Sequence, residues 1–589
     1  MAVNQKISAL NSLSPVNLDP VNDTVPIVDT SDVETKKISV KDAVDGYVNY
    51  NNLLIGGTVT VKNSTASPVQ DAALIAANDT DAGLILRTNG TGALMRITPD
   101  NTNVGGDARG FYATDLQFSR NAPEEVASGV HSTIGGGVAN RATADYSVVA
   151  GGQQNQAIQT NSFVGGGLDN VNNGSRSSIV GGQENSVNAN FGFVGGGYFN
   201  QISGDYSNIA GGENNVVSTT GYNSVIGGFQ NTASGGSSIA GGNNAIASGL
   251  YSIALSGIAS GTNAISIGIN SDATNTNAIG LGNNAQATHI SAIAIGLNAN
   301  CTNLYSISIG KDSDATAISS VALGNVANAS GTNAISIGVD SDATATDSIA
   351  MGNTAQATGL NAISIGINSD ATQTNTIALG NTANASANSA ISIGRNSDAT
   401  QFDSIALGNT ANALQGNTVS IGAYSAATSS SAVAIGRIAN ATSGNAVALG
   451  TQSTASGLNA ISIGGGSDAT QTESIALGTQ SQASGTSAIS IGASSDATAT
   501  DSIALGKTAQ ATTSSGAIAI GSGASSTLAD GVAIGTNVTA VYADGTTVKN
   551  FAIANYANLN YANDTDAAAG GVPLGGVYHN AGALQIRLT

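Results

Sequence analysis

Along the middle of this chain, aliphatic residues recur at separations of two and of fourteen, without the three-and-four spacing of a helical face. From Asn263 to Ser514 a 14-residue unit repeats eighteen times without insertion or deletion. Its first aliphatic column runs Ile265, Ile279, Ile293, Ile307, Val321 and onward to Ile503, and is always Ile or Val. Two residues later come Ile267, Leu281, Ile295, Ile309, Leu323, Met351 and their successors. A separation of two sets both side chains on one face of a short strand. The residue between them (Ser266, Gly280, Ala294, Ser308, Ala322) is small. The pattern predicts that the aliphatic columns line the core and that the small-residue face is closely approached from outside. Gly268 and its equivalents to Gly506 then supply a turn that a side chain would obstruct. A second alternation follows, from Ser271 or Ala285 to Ala273, Ala287, Ala315 and Ala329. Two short strands per unit, joined by turns rich in Gly, Asn, Ser and Asp, predict one coil of a parallel β-solenoid stacked on itself.

A looser relative of the unit spans about Ser132 to Ser256, with glycine runs beginning at Gly135, Gly151, Gly165, Gly181, Gly195 and Gly211. Those spacings predict coils of 14 and 16 residues. With the units carrying Gly521 and Gly535, about 28 coils at roughly 4.8 Å each predict a shaft on the order of 130 Å long. The chain divides into residues 1–50, 51–128 (a β-rich connecting module), 129–258 (the Gly-rich solenoid), 259–540 (the regular repeats) and 541–589 (a C-terminal cap or tip). A coil this narrow has little interior with which to offset the entropy of ordering its backbone. Close packing of several chains through the small-residue face is therefore expected, as a homotrimer.

Composition changes this picture only at its edges. Charged residues are 9% of the 589, against about 25% in ordinary domains, while 41% are apolar and strictly placed. An ordered repeat, not disorder, accounts for both. The net charge of −20 comes without any Lys/Arg cluster, so no nucleic-acid partner is expected. One cysteine excludes an intrachain disulfide framework. The opening MAVNQKISALNSLSP does not read as a secretory signal. No stretch reaches the ~18–20 apolar residues of a membrane span, so no membrane insertion is expected.

The units NAISIGINSDATNT and DSIALGNTANALQG resemble the head repeats of trimeric autotransporter adhesins. That resemblance implies a left-handed parallel β-roll in a homotrimer. The ends carry a different likeness. VNDTVPIVDTSDVETKKISVKDAVDG resembles the N-terminal segment of bacteriophage tail and fibre proteins. The stretch from RTNGTGALMRITPD to HSTIGGG resembles a module of structural proteins of phages, including those of cyanobacteria and marine bacteria. The closing NYANDTDAAAGGVPLGGVYHNAGALQIRLT is similar to phage fibre C-termini. Together these imply a virion fibre that is held to other virion proteins through residues 1–50 and contacts a host surface polysaccharide or protein.

Candidate chemistry is sparse. Asp272, Asp314, Asp342, Asp370, Asp398, Asp468 and Asp496 share one column. Most lie two coils apart, about 9–10 Å, too far to share a calcium ion, so a solvated acidic stripe is expected. Cys301 stands in a column otherwise filled by Ala and reads as a small buried hydrophobe. His131, His289 and His579 form no metal-ligand spacing, and His289 falls in a turn. The runs Gly135, Gly136, Gly137 and Gly165, Gly166, Gly167 lack the Lys and helix of a phosphate loop and read as turns. Glu124 and Glu125 are adjacent, so on a strand they would face opposite ways. No catalytic, metal or cofactor residues are assigned, and receptor-binding residues remain unnamed. The expected role is a non-enzymatic virion fibre, on tail or capsid, for host attachment. The alternatives are a bacterial cell-surface trimeric adhesin and a polysaccharide depolymerase.

Overall fold

The computed structural model describes residues 91–549, 559–573, 576–581 and 583–588, and ahead of them the backbone of five short strands. The chain forms two compact units, Met1–Ala254 and Leu255–Thr589. In the first unit Thr24–Val28 pairs antiparallel with Thr35–Ser39, and Val59–Val61, Ala72–Ala76 and Leu84–Thr88 make a three-stranded antiparallel sheet. The rest of residues 1–90, and with it most of the expected attachment segment, lies outside the described residues.

Parallel stacking begins at Leu94–Met95, which pairs with Thr114–Asp115 and through it with Thr133–Ile134. This lies within the stretch expected to be a connecting module. The next strands begin at Val148, Phe163, Ser178, Phe193 and Asn208, a uniform step of 15 residues. One step of 16 follows, to Ser224. The expected alternation of 14 and 16 is thus corrected to a period of 15. Glycine runs start one residue earlier where Gly135, Gly165 or Gly195 precedes the pair than where Ala150, Val180 or Ala210 does. Counting from the first glycine therefore shifted every second coil.

Ile134, Val149, Val164, Ile179, Val194 and Ile209 point inward from the first sheet of this unit and are fully buried. The coil is widened by a turn with the pattern Gly-Gly-x-x-Asn. The asparagines (Asn140, Asn155, Asn170, Asn185, Asn200, Asn215, Asn231) are also fully buried. Asn170 shows how they stack. Its Nδ2 donates to the carbonyls of Gly166 (3.0 Å) and Gly182 (2.8 Å) and to Oδ1 of Asn155 (3.0 Å). Its Oδ1 accepts from the backbone and side-chain nitrogens of Asn185. Each rung thereby satisfies polar groups that the turn would otherwise bury unpaired. Gln117 closes the lower end, its Oε1 accepting from the Asn140 N–H at 2.9 Å. Below Ile134 the inward position is Asp115, fully buried and paired with Arg109 at 2.7 Å and Arg120 at 2.9 Å. This ion triad ends the aliphatic column, where a solenoid needs a cap.

In the second unit the period is 14, as in Ile265–Ile267 pairing with Ile279–Leu281 and on to Leu505. The second sheet pairs Asp272–Ala273 with Gln286–Ala287 in the same register. Residues with φ near +55° recur every seven positions (Asn263, Asn270, Asn277, Asn284, Ser291, Asn298), so each coil is two similar half-turns, each closed by a left-handed residue. Asn is frequent there because its short polar side chain tolerates that conformation. At Gly338 (φ 144°) a Cβ would run into the carbonyl of Gly352, which fixes glycine in that column. The last coil strand is Thr546–Val548, paired with Val532–Ile534. Beyond it, a helix at Asp564–Ala569, capped by the Asn563 side chain, lies beside the hairpin Val577–Asn580 and Ala583–Ile586. That helix is the one α-helical element among the described residues.

The side assignment within these coils differs from the sequence expectation. Ala264, Ser266, Ser271 and Ala273 point inward and are fully buried, whereas Ile265 is only half-buried and Ile267 is 39% exposed. The small residues line the core and the aliphatics face out. The reason is width: Ser336 Oγ and Ser341 Oγ, on opposing walls, already touch at 2.6 Å. A 14-residue coil has room inside only for small side chains, Ala and Ser above all.

Candidate functional site

Three outward surfaces are built by this geometry. The first is the outer face of the first sheet in the second unit. Its Ile265 and Ile267 columns stack coil on coil, with Ile309, Met351, Ile365, Ile393, Ile435, Ile491 and Leu505 all exposed. The chain's interior is complete without this face, which leaves a contiguous aliphatic strip turned outward.

The second is the outer face of the second sheet, where the acidic column lies. Carboxylates alternate with amides: Asp314, Asn328, Asp342, Gln356, Asp370, Asn384, Asp398 and Asn412 follow in register. Amide Nδ2 groups donate along the column, from Asn300 to Asp314 at 3.0 Å and from Asn328 to Asp342 at 3.1 Å. The stripe is half-buried and hydrogen-bonded, which refines the expected solvated stripe. Burial raises the carboxyl pKa of Asp272, Asp370 and Asp496 above its usual value. Among the described residues no group of three His, Cys, Asp or Glu could hold a metal.

The third surface runs along a turn of the first unit. Tyr112, His131 and Tyr146 occupy successive left-handed positions, and their rings stack at 4.8 and 5.1 Å. Two coils beyond Tyr146, Arg176 lies 5.5 Å over Phe191, which stacks on Tyr206 at 4.7 Å. Sequence reasoning missed this column. The signal was present from His131 to Tyr206 as large residues at 15-residue steps broken only by Asn161, and it is visible only once the true period is known.

The other candidates fall as follows. Cys301 is buried in the alanine column, its thiol donating to the Ile293 carbonyl at 2.9 Å, and burial pushes its pKa up to about 11. His289 is exposed in a turn, His131 is in the stacked column, and His579 is buried in the C-terminal hairpin. The structure does not bring these histidines together. Gly137 and Gly167 take φ of 89° and 96° in turns. Glu124 and Glu125 lie in a turn and not on a strand. Glu125 closes it by accepting from the Ala122 N–H at 3.2 Å. Among the described residues no helix is long and apolar enough to cross a membrane.

The repeats match the YadA head domain repeat in a run of segments, some of them overlapping, from 233–255 and 259–279 through 371–397 and 399–425 to 483–509 and 497–524. The matched residues make up a little under half of the chain and lie almost wholly in the 14-residue coils. No curated protein matches the chain.

Proposed function

We propose that this chain is a non-enzymatic, adhesin-like fibre protein that assembles as a homotrimer through the aliphatic face of its 14-residue coils. The observation that carries this reading is the pairing of an interior closed by small residues with two outward columns of Ile, Leu and Val, the first half-buried and the second in part exposed. Those columns take no part in the packing of the chain's own core, and two further copies of the same face would remove them from water at about 25 cal/mol per Å². The small-residue face expected from the sequence to join the chains is interior, so the contact passes to the opposite face. Binding to a host surface would then be multivalent, with three identical chains raising the effective concentration at a repeating surface polymer.

The match to the YadA head domain repeat supports a bacterial cell-surface adhesin more directly than a virion protein. The virion fibre is the second reading, and it rests on the likeness of the two ends to phage fibre segments. A trimer mass by light scattering and specific binding of the purified protein to cells are the expected results. A monomer that does not bind would overturn the proposal. Quantifying the chain in the outer-surface fraction of the producing cells and in purified virions separates the two settings.

A further inference from the structure

The turn column that carries the stacked rings is interrupted at Asn161, a short residue between two large ones. Tyr146, Asn161, Arg176 and Phe191 occupy the same turn of successive coils and are all left-handed, with φ of 60°, 58°, 55° and 55°. Their N–H groups donate to Val130, Asp145, Thr160 and Ser175 in an unbroken series at 2.9–3.0 Å. The backbone therefore places all four side chains one above the other. Tyr146 is stacked on His131 below, and Arg176 on Phe191 above. Between them Asn161, too short to fill the rung, is exposed and makes no side-chain hydrogen bond within the chain.

Tyr146 and Arg176 are two coils apart, about 9–10 Å. A ring seated between them would lie about 4.8 Å from each, the spacing that Tyr112 and His131 or Phe191 and Tyr206 already adopt. A gap of that width matches the thickness of one ring in the stack. One wall is the free face of Tyr146, to which axial C–H groups pack; the other is the Arg176 guanidinium, a planar set of donors. The floor is the Asn161 amide, which both donates and accepts. The two charges nearest the slot, Asp145 and Arg176, are of opposite sign, and the chain carries a net charge of −20, so an anionic sugar gains no net attraction there.

We propose that the rung at Asn161 is a binding slot for one neutral pyranose ring of a surface glycan, held between Tyr146 and Arg176. The inference rests on the adhesion reading and supplies its ligand class. Backbone preference does not account for the bulky aromatics, since the same conformation in the second unit is filled mostly by Asn, Ser, Asp and Thr.

The test uses the full-length protein and saturation-transfer NMR with methyl glucopyranoside, methyl galactopyranoside and methyl mannopyranoside. Transfer to at least one glycoside is expected. Asn161→Tyr, which completes the stack with a residue the column already tolerates, should weaken binding by about tenfold or more. Tyr146→Ala should do the same, and Asn161→Ser, which leaves the slot open, should not. Unchanged circular dichroism and melting would show the variants to be folded. The proposal is overturned if wild type gives no transfer, if Asn161→Tyr binds as wild type does, or if only planar aromatic probes such as phenol bind. Adhesion of the same preparations to cells is scored separately. A wild-type protein that takes up glycoside but does not adhere would sink the adhesion reading and leave the slot standing. Persistent adhesion without glycoside binding would do the reverse.

Discussion

Ser336 Oγ lies 2.6 Å from Ser341 Oγ across the interior of one coil, and the Ser336 hydroxyl also reaches the Ser341 carbonyl at 2.7 Å. The same pair recurs at Ser308 and Ser313, Ser364 and Ser369, and Ser392 and Ser397. The coils between hold Ala322 with Ala327, Ala350 with Ala355, and Ala378 with Ala383, all fully buried. The Ser coils carry the outward Asp314, Asp342, Asp370 and Asp398 and the Ala coils carry an amide, so the structural unit in this stretch is a pair of coils.

Because the walls are one small side chain apart, enlarging Ser336 must push them open. Ser336→Leu should destabilise the second unit by about 1–3 kcal/mol through overpacking. Ser336→Ala should cost about 1 kcal/mol for the lost hydrogen bond. Denaturant titration of the two variants gives the order. If leucine were tolerated as well as alanine, the narrow interior would be refuted.

The outer face should behave in the opposite way. Ile365 and Ile393 are exposed in the single chain, so Ile365→Lys combined with Ile393→Lys should leave the strand signal in circular dichroism intact. Each substitution should weaken self-association by about tenfold or more, read by light scattering across concentration. Unfolding of the pair variant at wild-type oligomer mass would argue that these isoleucines serve the fold and not an interface.

Much of this was legible in the residues, and the part that was not has a physical cause. Strand, turn and coil followed from aliphatics spaced by two and glycines spaced by fourteen. Inside and outside did not, because Ile265 and Ser266 alternate whichever way the strand faces, and burying the larger residue is the ordinary expectation. Coil width reversed it. In the first unit an extra residue per coil makes room for Ile134 and Val149 inside, and the side assignment is the ordinary one. The asparagine ladder was readable as Gly-Gly-x-x-Asn, but the glycine count hid its period. The Asp115 triad had no sequence signal, since Arg109 and Arg120 reach it only through the cap's own turns.

Asn170 should be among the costliest single positions in the first unit. Asn170→Ala removes the donor to the Gly166 and Gly182 carbonyls and the rung between Asn155 and Asn185. Several buried groups lose a partner at once, for a loss of about 2–4 kcal/mol. Urea titration of the isolated substitution measures it. A change below about 0.5 kcal/mol, the ordinary size of a surface substitution, would show that water replaces the ladder freely.

Two turn positions offer a gain. Val326 and Ile438 hold φ of 56° and 59°, a conformation that β-branched residues adopt only under strain. Val326→Asn and Ile438→Asn should each raise stability by about 1 kcal/mol. The reverse change, Asn333→Val, should lower it and also lose the bond from Asn333 Nδ2 to Asp347 at 2.9 Å. Thermal melts of the three variants decide whether the left-handed column is under strain.

The acidic column sets a pH dependence of definite sign. Burial holds the Asp370 carboxyl above the usual 3.8, so the folded chain binds that proton more tightly than the unfolded chain does. Its contribution to stability is therefore fully present below the usual carboxyl pKa and is lost as pH rises through the raised value. Asp272 and Asp496 act in the same direction. Asp370→Asn removes the charge and leaves an amide between Gln356 and Asn384, as in the neighbouring coils. The variant should melt higher than wild type at about pH 7 and level with it at about pH 3. Equal melting at neutral pH would mean that water reaches the carboxylate freely, and that the column is the solvated stripe its sequence first suggests.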